Sequence, residues 1–161
     1  MKKILVSIML FFVFISSANA SVSSASEYIL LEQKTGRILE GKNYNTPLLI
    51  ASITKIMTAV IAIESGKLDK ELTVDDTILK AYGSGVYIEI GEKMTLRDLL
   101  YGLMLRSGND AALMIAKYTS GSVSKFVEQM NKKANELGMI NTKFVNPSGL
   151  DNEDGGNYST A

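Results

Sequence analysis

The sequence predicts an α+β protein: a mostly helical body opened by a β-hairpin. Three features predict it. Two short β-prone runs, Tyr28 to Leu31 and Arg37 to Leu39, flank the turn signal Gln33-Lys34-Thr35-Gly36, which together read as a hairpin. Four longer segments behind it carry apolar residues at helical length or spacing. No internal repeat or linker interrupts them, and 161 residues suit one domain with its own core.

The chain opens with MKKILVSIMLFFVFISSANA, which reads as a secretory signal peptide over residues 1–20. Lys2 and Lys3 form its positive end, and Ile4 to Ile15 its apolar block. Ala18-Asn19-Ala20 offers small residues for cleavage. The rival reading is an uncleaved anchor, but the block is short for a bilayer span. Cleavage leaves a chain starting at Ser21, with 15 basic and 17 acidic residues and a net charge of −2. Export is therefore expected, with the protein at work outside the cytoplasm. Ser21 to Ser26 is a serine-rich, mobile lead-in.

The hairpin follows, then a loop from Gly41 to Pro47. A helix is predicted from Ser52 to about Ser65, with Gly66 just past its end. Glu71 to Val74 reads as a short strand, and Asp75-Asp76 opens a short helix to about Ala81. Gly83 to Gly91 is glycine-punctuated, with an extended piece from Val86 to Ile90. Thr95-Leu96-Arg97-Asp98 has the form of a capping box with Asp in place of Glu, and its helix runs to about Leu105. Ser107-Gly108-Asn109 breaks the pattern before a helix from Asp110 to Tyr118. Ser122 caps the clearest amphipathic helix, whose apolar face is Val123, Phe126, Val127, Met130, Ala134 and Leu137, with Gly138 at its end. Thr142 to Val145 is extended, Asn146-Pro147-Ser148-Gly149 is a turn, and Asp151 to Ala161 carries no core-forming pattern. Met57, Met104, Met114 and Met130 read as core fillers. Tyr82 and Tyr87 read as packing residues, with the border of a substrate groove as the alternative.

Composition narrows the chemistry. Lys and Arg number 17 against 17 Asp and Glu, so charge balance suggests no nucleic-acid partner. There is no cysteine and no histidine. That excludes disulfides, thiol nucleophiles, Cys/His zinc sites and a Ser-His-Asp triad. Acid–base work falls to Lys, Asp, Glu, Tyr or Ser. Asp151-Asn152-Glu153-Asp154-Gly155 does not follow calcium-loop spacing and reads as a solvated loop.

Lys55 is the residue out of place. It lies in the apolar run IASITKIMTAVIAI, where a buried lysine is rare unless paired or functional. Ser52 sits three residues earlier, on the same helical face. The plain reading of Ser52 is an N-cap. Lys55 argues against it, because a cation in the first turn opposes the helix dipole and burial disfavours its charge. Both effects lower the lysine pKa and suit it to act as a base towards the Ser52 hydroxyl. A second Ser-x-x-Lys, Ser122 to Lys125, falls on the polar face of its helix and reads as a cap with a solvated lysine. Ser107-Gly108-Asn109 is the other clue, although Ser-x-Asn also occurs at Ser17 to Asn19.

An exported chain with Ser-x-x-Lys opening a buried helix, then Ser-Gly-Asn-Asp-Ala-Ala between helices, resembles the penicillin-binding serine D-Ala-D-Ala carboxypeptidases, peptidase family S11. The resemblance covers Glu27 to Ala161, including ASITKIMTA, Gly91 to Ala112 and NTKFVNPSGL. It implies a β-lactamase/transpeptidase-like fold, here mainly the helical portion with the N-terminal hairpin. It implies Ser52 as the nucleophile on a peptidoglycan stem peptide ending in D-Ala-D-Ala, Lys55 as its base, and Ser107 as a proton relay. Asn109 would bind the substrate amide and help orient Lys55. It implies inhibition by β-lactams, no cofactor or metal, and peripheral membrane association through a C-terminal segment that the sequence does not contain.

Two rivals share the fold. A class A β-lactamase would carry a Glu-x-x-x-Asn loop, which the region Glu136 to Asn141 does not reproduce. A non-catalytic wall-binding or penicillin-sensing domain would keep its affinity in Ser52→Ala. The family's third motif, Lys-Thr-Gly, should follow Ser-x-Asn. Here Lys34-Thr35-Gly36 precedes Ser52 in a hairpin turn, and nothing after Asn109 matches. The remaining sheet strands are therefore expected to be missing. The helix bearing Lys55 should then expose apolar surface, and residues 21–161 alone are expected to be poorly stable and weakly active or inactive.

Overall fold

A computed structural model describes residues 23–151 and 155–161. The expected leader and the centre of the Asp151 to Gly155 loop lie outside the described residues. The described chain divides into two compact units, residues 23–43 and Tyr44–Ala161.

The first unit is the expected hairpin. β1 (Tyr28–Leu31) pairs antiparallel with β2 (Ile38–Lys42), with Tyr28 opposite Lys42 and a register shift between Leu30 and Leu31. Strand β2 runs further than expected, into the predicted loop. The turn is organised by Glu32, whose carboxylate accepts from the backbone N–H of Lys34 and of Thr35 and from the Thr35 hydroxyl. Gly36 takes φ +70, a conformation that a side chain would resist. Lys34-Thr35-Gly36 is thus turn chemistry.

The second unit is built on four helices: α1 (Thr54–Glu64), α2 (Leu96–Arg106), α3 (Asn109–Ser120) and α4 (Val123–Glu136). α3 is central, with α1, α2 and α4 packed against it. Its Ala111, Ala112 and Ala116 are fully buried, and their small side chains permit close approach. Leu96, Leu99 and Leu103 supply the facing stripe of α2, and Phe126, Met130 and Ala134 that of α4. Burial of each large side chain contributes about 1.5–3 kcal/mol. Met104 departs from expectation: it is 51% exposed, because it lies on the outer face of α2.

Local sequence explains the helix ends. Thr95 and Asp98 form the capping box, each side chain bonding the other's backbone N–H. Ser122 accepts from the Lys125 N–H, and Lys125 itself is exposed, so the second Ser-x-x-Lys is a cap. Asp75 accepts from the Thr77 N–H and opens a 3-10 helix over Asp76–Lys80.

Two short strand pairings accompany the helices in this unit. β4 (Glu71–Thr73) pairs antiparallel with β5 (Lys93–Thr95), a partner strand not expected from the sequence. β3 (Leu48–Leu49) pairs with β6 (Tyr158–Ser159), which also bridges Lys143. The tail therefore contributes structure despite lacking an apolar pattern. Its anchor is polar: Asn157 is completely buried. Val86 to Ile90, expected as extended, is irregular.

Helix α1 is not buried all round. Ile53, Ile56 and Ile63 are 64%, 56% and 54% exposed, whereas Thr54, Lys55, Met57 and Thr58 are buried. One face of α1 is thus packed, and the side that carries Ile53, Ile56 and Ile63 is exposed.

Candidate active site

The chain enters α1 through a 3-10 turn over Ala51–Ile53. Ile50 and Ile53 hold the two cap positions and make no side-chain cap. Ser52 lies between them, so its hydroxyl is not an N-cap. It is exposed and available to a ligand. Ala51 takes φ +43, and the Gly149 backbone lies against its carbonyl. A Cβ on Gly149 would fall 1.8 Å from the Ala51 carbonyl oxygen, so only glycine fits at 149.

Lys55 is 3% exposed. Its Nζ contacts three oxygens: Asn109 Oδ1 at 2.8 Å, the Ser148 carbonyl at 2.7 Å and Ser52 Oγ at 3.2 Å. None is an ionised carboxylate. Burial without a counter-charge holds its pKa below the usual 10.5. The three contacts are not equivalent. Two are carbonyl oxygens, which only accept, so they take two N–H bonds whatever the protonation state. The hydroxyl of Ser52 can accept or donate. Lys55 Nζ donates to Ser52 Oγ as it stands; as a neutral amine with its two N–H groups on the carbonyls, it could instead accept from the Ser52 O–H.

Ser107 completes the cluster. Its hydroxyl donates to Ser52 Oγ at 3.1 Å. It reaches this point because Ser107 ends α2 in the left-handed region, at φ +55 and ψ +38. The conformation costs about 1–2 kcal/mol for a residue with a Cβ. Gly108 follows, where a Cβ would lie 2.6 Å from Val86 Cγ2. Asn109 then opens α3, and its amide is held at both ends. Nδ2 donates to the Tyr82 carbonyl at 2.7 Å, which fixes Oδ1 towards Lys55.

The four residues singled out from the sequence, Ser52, Lys55, Ser107 and Asn109, are therefore brought together. Several supports were not legible. The Ser148 carbonyl comes from the Asn146 to Gly149 turn, where Asn146 Oδ1 accepts from the Ser148 and Gly149 N–H groups. The neighbouring Pro147 carbonyl accepts from Thr58 Oγ1 at 2.7 Å. Asn157 ties that turn to α1: Nδ2 donates to Thr54 Oγ1 and the Asn146 carbonyl, and Oδ1 accepts from the Val145 N–H. Backbone carbonyls leave no side-chain signature, and Asn157 lies about a hundred residues from its partner Thr54. Asp110 was also missed. Its buried carboxylate accepts from the N–H groups of Val86, Tyr87 and Ile88, whereas the sequence marks it only as the first residue of a helix. Tyr82 and Tyr87 do not pack as expected; they are 57% and 77% exposed.

An exposed serine, a buried lysine in contact with it and a second serine beside it are an arrangement in which a hydroxyl can be paired with a base. The surrounding helical body is part of a transpeptidase-like α+β fold, shared with solved penicillin-binding proteins. The chain belongs to the D-alanyl-D-alanine carboxypeptidase family, whose model matches residues 14–161. It is 44% identical over 143 residues to the D-alanyl-D-alanine carboxypeptidase DacF of Bacillus subtilis, covering 85% of this chain and 36% of that protein. The crystal structure of a D-alanyl-D-alanine carboxypeptidase from Mycobacterium tuberculosis superposes with a TM-score of 0.80 at 35% identity, covering 85% of this chain and 52% of that one. Penicillin-binding protein D2 of Listeria monocytogenes, in its ampicillin-bound form, gives 0.74 at 28% identity, with 84% and 56% covered. The chain thus spans about a third to a half of the relatives it matches. Glu136 ends the regular helix α4 beside Lys132 and Lys133, as expected if the site is not that of a class A β-lactamase.

Proposed function

We propose that the protein is a serine-type D-Ala-D-Ala carboxypeptidase, removing the terminal D-alanine from peptidoglycan stem peptides through an acyl-enzyme on Ser52. The observation that carries the reading is the contact set of Lys55 Nζ, two carbonyl oxygens and the Ser52 hydroxyl. With two carbonyls occupying its N–H groups, neutral Lys55 has only the Ser52 hydroxyl left to accept from. Lys55 takes the Ser52 proton as Oγ bonds to the carbonyl carbon of the penultimate D-alanine. The peptide bond to the last D-alanine breaks, and its nitrogen receives a proton relayed by Ser107. Water then attacks the ester and releases Ser52. Asn109 holds Lys55 and offers its amide to the substrate. General-base assistance of this kind contributes about 100- to 10,000-fold.

β-Lactams acylate Ser52 in the same way and stay attached; the ampicillin-bound relative supports this. The leader over residues 1–20 supports export, and the substrate places the work at the cell wall, outside the cytoplasmic membrane. The test uses the protein expressed from its complete reading frame. A D-Ala-D-Ala peptide should lose one D-alanine, and penicillin should add one equivalent of mass to the Ser52 peptide. Ser52→Ala should abolish both. Hydrolysis that survives in Ser52→Ala would contradict the reading.

A further inference from the structure

Tyr87 is explained neither by packing nor by backbone preference. Its side chain is 77% exposed, yet its backbone takes φ +65, which an aromatic residue resists. A glycine would sit there without strain. Such conformations persist where surroundings over-determine them, and they gather at functional sites. The surroundings here are specific. Asp110 Oδ2 accepts from the Tyr87 N–H at 2.7 Å, and the same carboxylate takes the N–H groups on either side. Val86 is wedged so closely that a Cβ on either Gly102 or Gly108 would lie 2.6 Å from its Cγ2. Ile88 is buried.

The clamped segment borders the site. A recess of about 180 Å³ is lined by Tyr82, Gly83, Gly85, Tyr87 and Ile88, among others, with Asp110 also in its wall. Its wall adjoins Asn109: a Cβ on Gly83 would lie 3.3 Å from Asn109 Nδ2. The Tyr82 ring is tethered, its hydroxyl donating to the Asp151 carbonyl at 2.7 Å. Asp110 has its oxygens engaged by backbone N–H groups, so the recess offers aromatic and aliphatic surface more than free charge.

We propose that Tyr87 is a specificity-determining residue whose ring, with that of Tyr82, receives the part of the stem peptide upstream of the D-alanine pair. This rests on the carboxypeptidase reading and names a further contact within it. Asp110 is the positioning residue that turns Tyr87 outward.

The test compares two substrates with the same D-Ala-D-Ala end, one a complete stem pentapeptide and one an acetyl-capped dipeptide. The protein is expressed from its complete reading frame. Tyr87→Gly removes the ring and relieves the strain; Tyr87→Phe keeps the ring. Tyr87→Gly should lower kcat/KM for the pentapeptide about tenfold, through KM, and leave the dipeptide unchanged. Its melting temperature should hold or rise, and Tyr87→Phe should behave as wild type. Equal loss on both substrates, or no loss on either, would overturn the proposal while leaving the carboxypeptidase reading intact. If the unaltered protein hydrolyses neither substrate, that reading falls and this inference with it.

Discussion

Changing Asn109 to aspartate replaces one NH2 group by oxygen and tests the role of Lys55 directly. In the native site, neutral Asn109 Oδ1 accepts from Lys55 Nζ at 2.8 Å, and burial lowers the lysine pKa. A carboxylate at that distance reverses the balance, raising the pKa of the lysine by about 1–3 units. Each unit lowers the neutral fraction about tenfold when the pH lies below the pKa. Acylation of Ser52 by penicillin at neutral pH should therefore slow about 10- to 1,000-fold. The variant also loses the donor to the Tyr82 carbonyl, so recovery should be incomplete. The assay is the acylation rate, followed by intact mass across the neutral to alkaline range. The rate should climb with pH and its midpoint should move upward in Asn109→Asp. A loss by the same factor at every pH would refute the reasoning, because it would mean that Lys55 does not titrate in the step.

Three further predictions concern the scaffold. Gly149→Ala meets both a backbone oxygen and φ +80, so it should cost about 3 kcal/mol or more in urea unfolding and reduce acylation with it; a cost below 1 kcal/mol would contradict the close approach to Ala51. Asn157→Asp loses the donor to Thr54 Oγ1 and the Asn146 carbonyl, and should destabilise by about 2–4 kcal/mol; a neutral effect would mean that the tail is not anchored there. Thr95→Ala should cost about 1 kcal/mol by removing the cap of α2. The Thr95 hydroxyl and backbone also hold the Asp98 pKa below 3.8. That contribution is fully present above pH 3.8 and lost as pH falls through the lower folded value, so the difference between wild type and Thr95→Ala should narrow in acid.

What the sequence made legible was mostly local. The hairpin, the Thr95 and Ser122 caps and the spans of α2 and α4 follow from neighbours within a few residues. Lys55 was legible because it broke a local rule, a cation in the first turn of an apolar run. What stayed hidden was long-range. The partner of β4 is a strand of three residues, too short to show periodicity. The tail pairs through backbone groups and a buried asparagine, so no apolar pattern announced it. The acceptors that steer Lys55 are a side-chain amide and a carbonyl brought from distant segments. From its neighbours alone Ser52 reads as either a cap or a nucleophile; the resemblance favours the nucleophile, and the 3-10 turn shows that its hydroxyl caps nothing. Met104 was misjudged because an apolar residue in an apolar helix carries no mark of which face it takes.

The central claim is that Lys55 is the base for Ser52, and its own titration tests this most directly. The measurement follows the 13Cε resonance of Lys55 with pH, in the protein expressed from its complete reading frame, beside the pH profile of Ser52 acylation by penicillin. The account predicts one shared midpoint, below the ordinary 10.5 of lysine because burial disfavours the charge. A Lys55 that titrates at or above that value, or an acylation rate that ignores its midpoint, would contradict the account.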